Sequence, residues 1–422
     1  MAGPSSLRSL AEEEVLGDIL AASQQLRPPF CAGGTLGPLA VRLALAGAGE
    51  AAAEARVVEF PGCGAEGERD LEALLALCAP ATFGKGKKTV RDESYRSALA
   101  LPADRIYTQH FEAAHLSSVL AAVGRVLLPR QGRCGFFKPN RDTPRGDPGF
   151  VASLVVCLPV GHAGGTLRLK HGSQSTEYEF GAGEAAGEVQ WAAFFPDVLH
   201  EVLAVTEGTR VALAYELFAR PETASGSPQP LKALPGTAAP LLRALHAALG
   251  SKDFLVNGGR IGFACRHAYP ASLVAGVNEQ AVRKMMKGAD GAMLHVLAAL
   301  RVPCTLVRVW QHDIEDAMDE VEGETEEDYA RAERALFVSP IRAGRLTVRA
   351  GARRPRRGEG ECDPEFLMKD TQAKLDISIN WLGGMQAFEE WTLGTMGQFY
   401  GNEGMYTQEF YCSVGIVAEV PA

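Results

Sequence analysis

Three side chains in the middle of the chain have the types that a metal-dependent reaction on a small acid requires. Asp142 lies in a turn-rich segment at 135–145, and His200 follows an apolar run further along the chain. A carboxylate oxygen and an imidazole nitrogen together suit Fe(II) or another divalent ion that keeps open coordination positions. They can converge on one ion if the strands between them close into a barrel.

Arg210 lies ten positions after His200, at the start of the next predicted strand. Its planar guanidinium suits bidentate binding of a small carboxylate. The strand that it opens is apolar, and an unpaired charge is costly to bury there. We therefore expect Arg210 to have an anionic partner.

The elements that must position these side chains are short strands. From about 125 to 219, apolar residues alternate with polar ones in short runs that Gly, Pro and Asp separate. Such spacing is typical of an all-β sandwich or barrel. The predicted strands are 125–128, 150–159, 165–170, 175–180, 189–195, 200–205 and 210–218.

Helical periodicity and a linker flank this β-rich region. Helices are predicted at 6–27, 66–79, 107–124, 237–249 and 278–301, and an apolar strand at 304–310. The whole is predicted to be an α+β protein with a C-terminal α/β extension. The predicted domains are an N-terminal helical support region at 1–80, a β domain at 81–220, a Pro/Ser/Gly-rich linker at 221–240 and a C-terminal region of unknown role at 241–422.

Composition narrows the function classes. The 422 residues carry 42 basic and 51 acidic side chains, a net charge of -9, which disfavours sequence-independent binding to nucleic acid. No apolar run approaches the roughly 20 residues of a membrane span, and no secretory signal is evident, so a cytoplasmic protein is expected, with the nucleus as the alternative. The nine Cys are odd in number and lack a Cys-x-x-Cys pair, which indicates reduced thiols.

Several longer segments, taken together, resemble one enzyme family. They are Ala81-Thr-Phe-Gly-Lys-Gly, Asp92-Glu-Ser-Tyr-Arg, Leu154-Val-Val-Cys-Leu-Pro, His162-Ala-Gly-Gly-Thr-Leu, Phe194-Phe-Pro-Asp and Gly401-Asn-Glu-Gly. This set resembles the iron(II)- and 2-oxoglutarate-dependent dioxygenase superfamily, in particular its prolyl 4-hydroxylase-like branch. The resemblance implies a double-stranded β-helix, or jelly-roll, core with flanking helices.

The resemblance also assigns roles to individual residues. Asp142 falls on the carboxylate ligand of iron, His200 on the distal histidine ligand, and Arg210 on the residue that binds the far carboxylate of 2-oxoglutarate. Asn140 stands where the family has its first histidine ligand. An amide oxygen is a weaker Fe(II) ligand than a neutral imidazole, so the third ligand is either Asn140 or water.

The implied activity is that of an oxidoreductase. It would use O2 and 2-oxoglutarate, release succinate and CO2, and hydroxylate a protein side chain or a small molecule whose identity the sequence does not give. Asn140 keeps two alternatives open. The chain could be a catalytically impaired pseudoenzyme that acts as a binding module, or Asn140 could tune an active site.

Four further residues receive structural interpretations. His162 and His171 flank a Gly-Gly-Thr-Leu strand, and we expect both to be loop or surface histidines rather than ligands. Trp191 and Phe194 lie in an alternating strand, where core packing is the expected role and a substrate wall the lesser one.

Overall fold

The structure is a computed structural model of the full chain. It describes residues 10–45, 56–62, 64–81, 83–85, 88–90, 98–102, 105–109, 113–127, 134–135, 150–181, 187–219, 236–270, 279–310, 336–341, 347–351, 365–369, 374–376, 378–383, 400–401 and 411–422.

The chain divides into two compact units. The terminal unit consists of Met1–Pro28, Lys232–Gly397 and Gln408–Ala422, and the central unit of Pro29–Leu231 and Gln398–Thr407. Each unit has its own hydrophobic core. Residues 29–80 therefore lie in the same unit as the predicted β domain, and the domain boundaries drawn from the sequence remain a prediction.

The central unit carries two α-helices and most of the short strands. Its helices are α2 (Gly64–Leu77) and α3 (Ala113–Val126). Its strands are β1 (Cys31–Pro38), β2 (Val41–Leu45), β3 (Arg56–Phe60), β4 (Ala79–Pro80), β5 (Phe83–Lys85), β6 (Lys88–Val90), β7 (Leu99–Ala100), β8 (Ile106–Gln109), β9 (Cys134–Gly135), β10 (Phe150–Cys157), β11 (His162–Gly164), β12 (Leu167–His171), β13 (Gln174–Tyr178), β14 (Glu188–Phe194), β15 (Leu199–Val202), β16 (Val205–Gly208), β17 (Ala212–Ala219) and β26 (Tyr400–Gly401).

Three antiparallel sheets of the central unit matter for the site. The first has the strand order β1-β14-β10-β17-β9, the second β13-β12-β15, and the third pairs β11 with β16. We call the first two the five-stranded and the three-stranded sheet. Neighbours in the five-stranded sheet are distant in sequence, so its pairing depends on burial rather than on tight turns.

Cross-strand partners show which face of the three-stranded sheet points inward. Arg168 forms ion pairs with Glu177 at 2.6 Å and Glu201 at 2.8 Å, which identifies the solvent face. Leu167 and Leu169 point the other way and are fully buried. Residues opposite one another in an antiparallel pair share a face, so the partners of these two leucines on β13 and β15 also lie on the inner face.

The described residues of the terminal unit form a mostly antiparallel seven-stranded sheet and four α-helices. The sheet has the order β24-β21-β20-β27-β18-β25, and β19 pairs with β27. Its helices are α1 (Leu10–Gln24), α4 (Ala239–Gly250), α5 (Glu279–Met285) and α6 (Gly288–Ala299). Its strands are β18 (Gly259–Ala264), β19 (Tyr269–Pro270), β20 (Cys304–Trp310), β21 (Leu336–Pro340), β24 (Lys374–Asp376), β25 (Ile379–Trp381) and β27 (Tyr411–Val420), with a separate pair β22 (Thr347–Gly351) and β23 (Glu365–Lys369).

The predicted α+β class is confirmed, and most of the predicted elements are present. The strand predicted at 125–128 is wrong, because α3 continues to Val126. The helix predicted at 278–301 is two helices, which Met286 and Lys287 separate. In the described part of the chain no sheet closes into a barrel, so the jelly-roll core remains a prediction. None of the described helices has the length and apolar character of a membrane span.

Candidate functional site

The five-stranded and three-stranded sheets of the central unit face each other. A Cβ added to Gly33 on β1 would collide with the ring of Tyr178 at the end of β13. The Tyr178 hydroxyl lies 3.5 Å from Sγ of Cys31. Further along, the ring centroids of Phe194 on β14 and His200 on β15 are 5.0 Å apart. These contacts identify the inner face of each sheet.

Most side chains on the inner face of the five-stranded sheet are small or polar, whereas those on the opposite face are apolar. Register places one set of side chains with Gly33 and Phe194 on the inner face: Ser153, Val155, Cys157, Gln190, Ala192, Ala212, Ala214 and Glu216. Leu154, Val156 and Trp191 point to the other face. Ala212 and Ala214 are exposed although they lie on the inner face. The space between the sheets is therefore open to solvent at β17, and we call it the intersheet cleft.

His200 lies on the inner face of the three-stranded sheet, opposite the buried Leu169, and is itself exposed. Its ring Nδ1 is 3.1 Å from the carbonyl oxygen of Val198. Because a carbonyl only accepts, Nδ1 carries the proton, and the lone pair of the neutral ring is on Nε2. A histidine that binds a metal usually donates its other N–H in this way, which fixes the ring and the tautomer.

Arg210 lies just before β17, where Val211 accepts a hydrogen bond from the backbone N–H of Leu158. Its guanidinium carbon is 5.4 Å from the centroid of the Phe180 ring. Its Nε and Nη2 are buried and have no hydrogen-bond partner among the described residues. These two nitrogens form the edge of the guanidinium that binds a carboxylate in bidentate fashion.

No carboxylate of a described residue compensates the charge of Arg210. Cys157 on the inner face lies close enough to act on this charge, and burial raises the pKa of its thiol to about 11. Burial also lowers the pKa of Arg210, and Cys157 opposes that shift only partly. Two buried guanidinium nitrogens with no acceptor among the described residues are costly to leave unsatisfied, so Arg210 is a candidate for binding an anion.

His162 is buried next to Arg210, with 8% of its surface exposed, so the prediction of a loop or surface histidine was wrong for this residue. Its Nδ1 is 2.9 Å from the carbonyl oxygen of Val160. Its Nε2 is buried without a hydrogen-bond partner among the described residues. A Cβ added to Gly165 would lie 2.8 Å from Cδ of Arg210 and 3.6 Å from Cδ2 of His162, so both side chains pack against this glycine.

The structure places two of the four predicted site residues. His200 lies on an inner face of the intersheet cleft and Arg210 beside the cleft, while Asp142 and Asn140 lie outside the described residues. Trp191 and Phe194 are buried, as expected. Sequence reasoning missed His162. Its signal was the neighbouring Gly164-Gly165 pair, whose left-handed φ angles of 75° and 69° and missing side chains permit the approach of Arg210.

Replacement of Gly181 by Ala tests how tightly His162 is held. Gly181 has a φ of 78°, and an added Cβ would collide with the His162 ring. The free energy of unfolding of the Gly181→Ala variant should fall by about 1 kcal/mol because of the left-handed backbone, and by about 1–3 kcal/mol more because the new methyl group crowds the His162 ring. The measurement is the urea unfolding midpoint of the central unit, followed by Trp191 fluorescence.

Gly172→Ala is the matched control. Gly172 has a φ of 54° in the β12–β13 turn, but an added Cβ there would meet nothing within 4 Å. This variant carries the backbone cost alone. Equal losses in the two variants would show that the His162 ring is not held against Gly181.

No protein-family model, no curated protein and no solved structure matches the chain.

Proposed function

We propose that the protein is an iron(II)- and 2-oxoglutarate-dependent dioxygenase that hydroxylates a protein side chain or a small molecule. The observation that carries the proposal is the unpaired Nε–Nη2 edge of Arg210 beside a solvent-open cleft that His200 also faces. A dicarboxylate bound by Arg210 extends from a cationic anchor toward the cleft. This arrangement supports a small acid as co-substrate more directly than it supports a structural role.

Each described side chain has one task in this proposal. Arg210 binds the far carboxylate of 2-oxoglutarate through its bidentate edge, and Phe180 holds the guanidinium in place from one side. His200 offers Nε2 to the metal, while the carbonyl of Val198 keeps its ring oriented. Phe194 packs against the His200 ring and limits its rotation.

The donor set is suited to Fe(II) as far as the structure describes it. His200 is exposed, and the hydrogen bond from its Nδ1 to the Val198 carbonyl leaves Nε2 as the nitrogen that can bind a metal. Asp142 would supply the carboxylate, and Asn140 or water the remaining donor, as the sequence resemblance implies. When bound, Fe(II) supplies the oxygen activation by which 2-oxoglutarate becomes succinate and CO2 and the substrate is hydroxylated.

A second candidate function is that of a binding module with the same fold and no turnover. Asn140 favours it, because an amide at the first-ligand position weakens iron binding. In this case Arg210 still binds a dicarboxylate, but the bound acid serves recognition or regulation rather than oxidation.

Succinate release separates the two functions. We expect the full chain, loaded with Fe(II) without oxygen and then given 2-oxoglutarate and O2, to release succinate. Turnover should fall on the order of 100-fold in His200→Ala, because a metal ligand is lost. His246→Ala should change nothing, since His246 is exposed on α4. A silent wild-type protein whose Asn140→His variant releases succinate would contradict the oxygenase proposal and support the binding module.

A further inference from the structure

His162 and Arg210 form a pair of buried, unsatisfied groups at one place in the central unit. Nε2 of His162 and Nε and Nη2 of Arg210 all lack hydrogen-bond partners among the described residues. Both side chains adjoin Gly165, and the His162 ring also packs on the backbone of Gly181. Buried polar atoms are nearly always satisfied, so three unsatisfied nitrogens at one glycine indicate a missing ligand.

The hydrogen bond of His162 to the backbone decides what this ligand can be. Nδ1 donates to the Val160 carbonyl, so Nε2 of the neutral ring carries only a lone pair. A carboxylate oxygen also carries only lone pairs, and it would be repelled by neutral Nε2. Once Nε2 is protonated, the ring and Arg210 both donate, and the two together suit one carboxylate.

Few charged groups of the described residues lie near His162. Arg210 is the charged neighbour, and without an anion its positive charge disfavours a second one. Glu207 on β16 is exposed and lies opposite Ala163, hence on the other face from His162. Glu179, beside Phe180, is exposed as well. No ion pair joins His162 to a carboxylate of any described residue.

Two more titratable groups of the described residues lie near Arg210 and Phe180, and both are uncharged: Cys157 and Tyr178. Burial raises the pKa of Cys157 to about 11, and burial raises the pKa of Tyr178 as well. The Tyr178 hydroxyl is directed to Cys31 rather than to His162. An arriving carboxylate is therefore the group whose charge makes a protonated His162 favourable.

We propose that His162 completes the Arg210 anion site and that a carboxylate binds there together with one proton, which Nε2 of His162 takes up. The identity of the ligand, 2-oxoglutarate, rests on the proposed function, whereas the coupling of anion and proton rests on His162 and Arg210 alone. His162 is thus a binding residue whose protonation makes co-substrate affinity depend on pH.

The sign of the pH dependence follows from linkage. Binding that takes up a proton becomes stronger as the pH falls, by up to about tenfold per pH unit. The effect is expected in the range where histidine titrates, from about pH 6 to pH 8.

Calorimetric titration of the full chain with 2-oxoglutarate, with Fe(II) and without oxygen, tests the proposal. Wild-type binding should take up close to one proton, read from the binding heats in phosphate and in Tris buffer, which differ in ionisation enthalpy. In His162→Gln a side-chain amide replaces Nε2 as a donor that does not titrate, so proton uptake and pH dependence should disappear. His246→Gln is the matched control, because His246 is an exposed residue of α4, and it should behave as wild type.

A second readout does not require the variant to fold. In the wild-type protein labelled with ¹⁵N-histidine, the Nε2 signal of His162 should change from the unprotonated to the protonated position when 2-oxoglutarate is added. Binding that depends on Arg210 but takes up no proton would overturn this inference and leave the proposed function standing. Proton uptake at His162 without succinate release would support this inference and contradict the proposed function. A wild-type chain that binds no 2-oxoglutarate at any pH would overturn both.

Discussion

Replacement of Arg210 by Met should remove 2-oxoglutarate binding and at the same time stabilise the protein without ligand. The loss follows from the removal of a bidentate, charge-assisted pair, which is worth a change in Kd on the order of 100-fold or more. The gain follows because Nε and Nη2 are buried without partners, so the native guanidinium carries a desolvation cost that Met does not. We expect the unfolding free energy to rise by about 1 kcal/mol.

Calorimetry with 2-oxoglutarate and urea unfolding without it measure the two effects separately. Arg168→Met is the matched control, because Arg168 lies on the solvent face of the three-stranded sheet in ion pairs with Glu177 and Glu201. That variant should bind 2-oxoglutarate normally and leave the urea unfolding midpoint nearly unchanged, because exposed ion pairs contribute little to stability. An Arg210→Met protein that is less stable than wild type and binds 2-oxoglutarate unchanged would contradict the role given to Arg210.

Replacement of Asp290 by Ala should strongly destabilise the terminal unit. Asp290, in the first turn of α6, is 3% exposed. Its carboxylate accepts hydrogen bonds from the backbone N–H of Arg266 at 2.7 Å, the backbone N–H of His267 at 3.1 Å and the hydroxyl of Tyr269 at 2.9 Å. Removal of the acceptor leaves three buried donors unsatisfied, which costs about 3–5 kcal/mol.

The negative charge of Asp290 also stabilises the charged form of the neighbouring Arg266. Burial lowers the pKa of Arg266, and the nearby Asp290 carboxylate opposes that shift. The Arg266 guanidinium in turn donates to the backbone carbonyl of Ser23 in the last turn of helix α1 and to that of Leu26 just after the helix. Loss of Asp290 therefore weakens the connection between the end of α1 and the loop that follows β18.

Hydrogen exchange read by mass spectrometry locates the effect. Amides of α6 and β18 should exchange on the order of 100-fold faster or more in Asp290→Ala, while those of β10 in the central unit keep their rates. Asp290→Asn keeps the shape of the side chain, but its amide NH2 group faces one of the three donors that the carboxylate accepts from. We therefore expect a loss of protection between those of wild type and Asp290→Ala. Asp253→Ala, at an exposed aspartate after α4, is the control. Unchanged protection of α6 would show that Asp290 does not hold this region together.

Local pattern was sufficient for many of the elements. The predicted strand at 304–310 coincides with β20 (Cys304–Trp310), and the strand predicted at 189–195 differs from β14 (Glu188–Phe194) by one residue at each end. These runs are short, rich in β-branched and aromatic residues and bounded by turn residues, so neighbouring residues determine them. Helix α1 (Leu10–Gln24) likewise lies within its predicted range of 6–27.

Local pattern failed where one continuous helical signal had to be divided into two helices. The periodic run at 278–301 gave no sign that Lys287 is buried, with its Nζ directed to the carbonyl of Ala268. That contact and the left-handed φ of 39° at Gly288 separate α5 from α6. Both features depend on residues distant in sequence, which a periodicity argument does not include.

By itself, the sequence determined the α+β class, the short antiparallel strands and the residue types at 142, 200 and 210. Only the tertiary structure decided that His200 faces inward, that two nitrogens of Arg210 are buried without a partner among the described residues and that His162 lies beside Arg210. The reason is register. A strand alternates its side chains in any pairing, but which face is inside depends on its partner strand elsewhere in the chain, here β12, whose buried Leu169 lies opposite His200 on β15.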